Sequence, residues 1–183
     1  IEILEEIKKG PPVVFVSAHF SNFELMAMVI EKTGINLSAI YRPLNNRMVN
    51  SIMEPIRKKY ICKNQIKKGI NGVRVAIDFI KKKYSIALMI DQRVSEGERI
   101  NFFGVPAYTT TLPAQLAIKY NLSIIPVYIE RINEGKFIIK FEKEILPQNF
   151  ENKFKITEEL NKILENMIIK NPKQWIWTHN RWK

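Results

Sequence analysis

Three short runs of buried-type residues recur along this chain, alternating with segments at helical spacing. They are 13–18 (VVFVSA), 85–90 (SIALMI) and 123–131 (SIIPVYIER). A run of four to eight apolar, β-branched residues fits a strand covered on both faces, which is the environment of a parallel sheet. Parallel strands need long crossovers, and helices fill those crossovers. The alternation therefore predicts an α/β fold: a mixed, mostly parallel sheet with helices on both faces.

The intervening segments agree. Residues 1–9 read as a helix tail stopped by Gly10-Pro11-Pro12. Ser21 or Asn22 can cap the helix after the first strand, and Gly34 can end it. Residues 37–42 form a short strand closed by Pro43. Residues 46–60 have helical spacing through Met48, Ile52, Met53, Ile56 and Tyr60. Residues 61–69 read as a basic connection and 70–83 as a helix with Val73, Ile77 and Ile80 on one face. The strand at 85–90 ends on Asp91-Gln92. Residues 92–111 read as a long polar loop and 112–121 as a helix. Residues 136–145 pair with 123–131 across Asn133-Glu134-Gly135 as the one antiparallel hairpin. Residues 155–170 make an amphipathic helix.

The 183 residues suit a single domain, 1–183. A composition 46% hydrophobic and 26% charged excludes a disordered chain. One cysteine, Cys62, excludes an internal disulfide. The net charge of +11 favours an anionic partner, whether nucleic acid, lipid headgroup or acidic protein, and equally suits a solvated lysine-rich surface. No apolar run approaches the roughly 20 residues that cross a bilayer. The chain begins at Ile1 in what reads as mid-helix, so it is expected to be a fragment of a protein with an N-terminal anchoring segment.

In open parallel sheets, ligands bind beyond the carboxyl ends of the strands. His19, Arg42 and Asp91 each fall just past such an end. His19 lies in the strand-to-helix loop of SAHFSNFE, and Glu24 in the first turn of the helix. A carboxylate on one imidazole nitrogen fixes the tautomer and raises the basicity of the other, which can then take a proton from a hydroxyl. A nearby helix N-terminus suits an oxyanion. General base and oxyanion site together suit acyl transfer. On spacing alone this competes with a plainer reading: a buried loop histidine, and a glutamate offsetting the helix dipole. Two distant histidines, one cysteine and no H-E-x-x-H leave no metal site to propose.

Further blocks carry a resemblance. They are YRPLNN at 41–46, DQR at 91–93, FFGVPAYTTT at 102–111, IIPVYIER at 124–131 and the terminal WIWTHNRWK. With His19 and Glu24 as an H-x4-D/E motif, they resemble in order and spacing the lipid A late acyltransferases, the lauroyl/myristoyl acyltransferase family. The likeness runs from about residue 11 to the end. It implies transfer of a fatty acyl chain from acyl carrier protein, or coenzyme A, to a hydroxyl of a lipid A precursor. His19 would be the general base and Glu24 its partner. Asn22, Arg42, Asp91, Gln92, Arg93 and Thr109 would line the substrate site, with Arg42 holding an anionic group. No bound cofactor or metal is implied. The setting would be the cytoplasmic face of a bacterial inner membrane, with an anionic lipid surface and the carrier protein as partners and no nucleic acid.

Other readings remain at this level. The same chemistry can serve a lysophospholipid, a glycolipid or an amino-acid lipid. A non-enzymatic basic module for lipid or nucleic acid fits the charge, though no helix-turn-helix, RNP or zinc-finger pattern is present. Thr111 reads as a helix cap, Phe102 and Phe103 as core residues, and Trp175, Trp177 and Trp182 as a packed C-terminal cap or a membrane-facing edge.

Overall fold

The computed structural model describes residues 2–183. These divide into two compact units, each assembled from two stretches of chain: residues 2–13 with Glu24–Leu88, and Val14–Phe23 with Met89–Lys183.

The first unit is built around a parallel sheet. Strand β2 (Leu37–Tyr41) lies between β3 (Asn64–Lys67) and β4 (Ser85–Met89). Ser38 stands opposite Asn64 on one side, and Leu37 opposite Ser85 on the other. Four helices accompany them: α1 (Glu2–Lys9), α2 (Glu24–Lys32), α3 (Arg47–Tyr60) and α4 (Ile70–Lys81). Leu4, Ile30, Leu37, Cys62, Ile66, Ala76 and Ile86 are buried together as its apolar interior, where each large aliphatic side chain contributes about 1.5–3 kcal/mol. Gly72 in the first turn of α4 is required sterically: a Cβ there would meet the Lys67 carbonyl. Residues 61–69 were expected as a connection only. Their stretch 64–67 pairs with β2 as an edge strand, short and polar because one side of it is open.

In the second unit, β1 (Val14–Ser17) runs parallel to β7 (Ile124–Asn133), and β8 (Lys136–Phe141) returns antiparallel to β7 across a turn where Gly135 has φ +72°. β1 is buried at all four positions, and β7 over its first six residues. Helices α5 (Leu112–Tyr120) and α6 (Lys153–Lys170) complete the core with Ala114, Ala117, Ile156, Leu160 and Leu164.

Within the expected loop 92–111, the stretch 98–109 is regular structure. It folds as a second antiparallel pair, β5 (Glu98–Phe102) with β6 (Val105–Thr109). Phe103 and Gly104, both at positive φ, make the two-residue turn, the type that matches strand twist. Ile100, Phe102, Ala107 and Thr109 alternate inward between exposed residues. The pattern therefore looks polar although half of it is core. The architecture is thus mixed α/β with mostly parallel main-sheet pairings, and it carries two antiparallel hairpins where one was expected.

Candidate active site

The loop after β1 is pinned from both sides. Ser17 donates its hydroxyl to the Val127 carbonyl at 2.5 Å. Phe20 is fully buried, edge-on to Tyr128 with centroids 5.0 Å apart, and pairs with Trp175 in an isolated antiparallel bridge. Ser21 turns the chain at φ +42° and donates its N–H to the Gln174 carbonyl. His19 is thereby held by its backbone: its carbonyl accepts from the Ile176 N–H at 3.0 Å, and its N–H donates to Asp91 Oδ2 at 3.0 Å.

Asp91 follows β4, and the Ile90 N–H bonds the Ser17 carbonyl just before it. Its side chain is only 3% exposed. Oδ1 lies 2.8 Å from His19 Nδ1, and Oδ2 also accepts from Trp175 Nε1 at 2.9 Å. Burial pushes the Asp91 carboxyl up, but the His19 ring, the His19 N–H and the Trp175 N–H outweigh it and hold the group below its ordinary value. An ionised carboxylate only accepts hydrogen bonds. The proton between the two side chains therefore sits on Nδ1, and in the neutral ring Nε2 carries the lone pair. The ring is 18% exposed, so the site is reachable from outside. Phe23 packs edge-on to it at 4.7 Å.

The carboxylate expected on the imidazole was Glu24. The one on Nδ1 is Asp91, 72 residues away. Glu24 opens α2 and is bonded by Arg57 Nε of α3 at 2.6 Å. Arg57 Nη1 is buried with no hydrogen-bond partner. Arg42, just past β2, is exposed. Its neighbour Tyr41 donates to Glu54 Oε1 at 2.6 Å. With help from Asn50 and Lys67, that bond lowers the Glu54 carboxyl to about 2.

The remaining expected residues divide. Asn22 is exposed in the turn after His19, and Gln92 is half-buried beside Asp91. Arg93 is exposed, with its guanidinium 5.5 Å above the Tyr108 ring and its backbone N–H on His179 Nε2 at 2.9 Å. Thr109 is 1% exposed and its hydroxyl is taken up internally, donating to the Ala107 carbonyl and accepting from Arg181 Nη2 at 2.6 Å. Thr111 stands at the N-cap of α5 and accepts from Gln115 Nε2.

Two residues were missed by sequence reasoning. Trp175 is a ligand of Asp91, and Arg181 is fully buried, with Nη1 on the Tyr108 carbonyl and its Cζ 5.1 Å from the Phe102 ring centroid. Burial lowers the Arg181 guanidinium to about 10 against the opposing pull of Asp91. Trp182 stacks on Phe102 with centroids 5.6 Å apart. The cap reading thus holds for Trp175, whereas Trp177 is 54% exposed. A dense aromatic and cationic run at a chain end was the available signal, but it does not reveal which carboxylate it serves. Trp175→Phe removes one donor from a buried anion, so stability is expected to fall by about 1.5–3 kcal/mol. Turnover is expected to drop with it while substrate KM holds, as denaturant melts and steady-state kinetics would show.

Over residues 1–183 the chain matches the family model for bacterial lipid A biosynthesis acyltransferases. The chain belongs to that family. It is 23% identical to the lipid A biosynthesis acyltransferase 2 of Shigella flexneri, over 97% of this chain and 57% of that protein. It is 26% identical to the lipid A biosynthesis palmitoleoyltransferase of Escherichia coli K12, over 100% of this chain and 61% of that one. The chain therefore spans less than two thirds of these relatives. In fold it is similar to the 1-acyl-sn-glycerophosphate acyltransferase PlsC of Thermotoga maritima, with a TM-score of 0.55 at 15% identity over 94% of this chain and 71% of the other. Among the described residues, no three His, Cys, Asp or Glu come together as a metal site. Among the described residues, no helix is long and apolar enough to cross a membrane.

Proposed function

We propose that this chain is the catalytic part of an acyltransferase that moves a fatty acyl group from a carrier thioester to a hydroxyl of a lipid A precursor. The observation that carries the reading is the buried Asp91 carboxylate on His19 Nδ1, with Trp175 on its other oxygen. Family membership supplies the reaction class.

His19 Nε2 is the general base. It takes the proton of the acceptor hydroxyl as the oxygen attacks the thioester carbonyl carbon. The tetrahedral adduct collapses, the carbon–sulfur bond breaks, and the imidazolium returns the proton to the leaving thiolate. An ester and a free thiol result. Asp91 stays ionised throughout and stabilises the imidazolium. Glu24, bonded by Arg57 Nε, stays proposed as a catalytic residue on the strength of the H-x4-D/E motif. Arg42, exposed after β2, supports the reading of an anionic substrate group. The donor is acyl carrier protein or coenzyme A, and the acidity of either suits the +11 charge. The place of action is proposed as the cytoplasmic face of the inner membrane.

The test is mass spectrometry of lipid A and total lipids from a host lacking its own late acyltransferase and carrying the full-length gene or its His19→Ala form. The parent is expected to add one acyl mass to lipid A. His19→Ala is expected to reduce this by about 10²–10⁴-fold while remaining folded. An acyl mass on a different lipid would replace the acceptor. An active His19→Ala protein would overturn the mechanism.

A further inference from the structure

Helix α3 is packed the wrong way round for a water-facing helix. A surface helix normally turns its apolar stripe to the core. Here the bonded side is polar: Glu54 holds Tyr41 and Lys67 and accepts from Asn50, and Arg57 holds Glu24. No residue of α3 is buried. The apolar side faces out, with Met48 79% exposed, Ile52 63%, Ile56 41% and Tyr60 57%. These four stand at intervals of four residues, so they form one row along the helix. Val49 flanks it, and Leu44 extends it beyond the helix N-terminus.

The charge around this row is one-sided. Residues 42–68 hold eight lysines and arginines against the single acid Glu54. That stretch carries +7 of the chain's net +11. Arg47, Lys58 and Lys59 are exposed on α3 itself. An apolar row bordered by cations is the chemistry of a helix lying in the headgroup region of an anionic bilayer. A second copy of this chain fits poorly, because its own α3 would bring the same positive charge to the contact.

We propose that α3 is a membrane-docking element that lies flat on an anionic lipid surface with Met48, Ile52, Ile56 and Tyr60 inserted. The proposal rests on the acyltransferase reading for its purpose, access to a lipid acceptor. Its evidence is the inverted packing of α3.

The test is co-sedimentation of the 183-residue chain with vesicles of pure phosphatidylcholine and of equal parts phosphatidylcholine and phosphatidylglycerol. The expected result is binding to the anionic vesicles that weakens with salt. Ile52→Ser/Ile56→Ser is expected to lower the partition coefficient tenfold or more with an unchanged thermal melt, because both positions are exposed. Lys58→Gln/Lys59→Gln is expected to reduce the preference for anionic lipid. A nitroxide on Ile52→Cys is expected to report lipid depth. Cys62, fully buried, leaves the introduced thiol as the reactive one. Equal vesicle binding by the serine variant, or a nitroxide that stays in water, overturns the proposal. So does a change of mass in light scattering without a change in vesicle binding, which would make the row a self-association face. His19→Ala is expected to bind vesicles like the parent, so loss of the catalytic reading leaves this result standing.

Discussion

Asp91→Asn is expected to lower turnover by about 10³–10⁴-fold with the fold intact. The amide is nearly isosteric and can still accept from the His19 backbone N–H. It no longer holds a negative charge beside Nδ1, and its NH2 group favours the tautomer that places the lone pair on Nδ1. Nε2 then carries the proton and cannot accept one from a hydroxyl. The imidazolium formed in the transition state also loses its counter-ion. Single-turnover rates on the acyl thioester would read the chemical step directly, and a variant within tenfold of the parent would exclude Asp91 from the mechanism.

The same substitution has a pH signature. The folded Asp91 carboxyl lies below its ordinary value, so the unfolded chain takes up that proton first as the solution is acidified. Its contribution is fully present at neutral pH. It is lost as the pH falls through the ordinary carboxylate range towards the lower folded value. The parent should therefore lose more stability between about pH 5 and pH 3 than Asp91→Asn does, as urea melts across that range would show.

Arg181→Ala is expected to cost about 3 kcal/mol, from lost charge-assisted bonds and the cavity left by the side chain. For a chain of this size that corresponds to a melting temperature lower by roughly 6–12 °C. The guanidinium is fully buried, bonded to the Tyr108 carbonyl and Thr109, and lies over the Phe102 ring. Removing it takes the side-chain donor from the Tyr108 carbonyl and leaves Thr109 Oγ1 with only the longer bond from Asn161 Nδ2 at 3.4 Å. Arg181→Met separates the contributions, because it keeps most of the volume but neither bonds nor charge. A methionine variant as stable as the parent would mean that desolvating the cation cancels its bonds. Activity should fall in the alanine variant too, because Arg181 anchors the terminal segment that brings Trp175 to Asp91.

Much of the fold was readable because periodicity is local. The strand at 13–18 and the helix at 155–170 show their periods within one window, and the structure places β1 and α6 there. The β5–β6 pair was not readable, since Ser95, Glu96, Glu98 and Arg99 dilute a two-residue alternation of which only one face is buried. β3 escaped for a related reason: a four-residue edge strand with one buried side chain has no period to detect.

What the sequence by itself determined is the order and type of the main elements, the placing of His19 and Asp91 at strand ends, and the family. Each depends on neighbours a few residues apart or on blocks of fixed order. Tertiary structure alone decided which carboxylate reaches the imidazole, what Trp175 and Arg181 are for, and which way α3 faces. Asp91 lies 72 residues from His19, and Trp175 84 from Asp91. Such pairings follow from strand register and loop path, to which a local window is blind. Likewise the four-residue spacing of Met48, Ile52 and Ile56 says that an apolar face exists. Only the hydrogen bonds of Asn50, Glu54 and Arg57 on the other side turn that face outward.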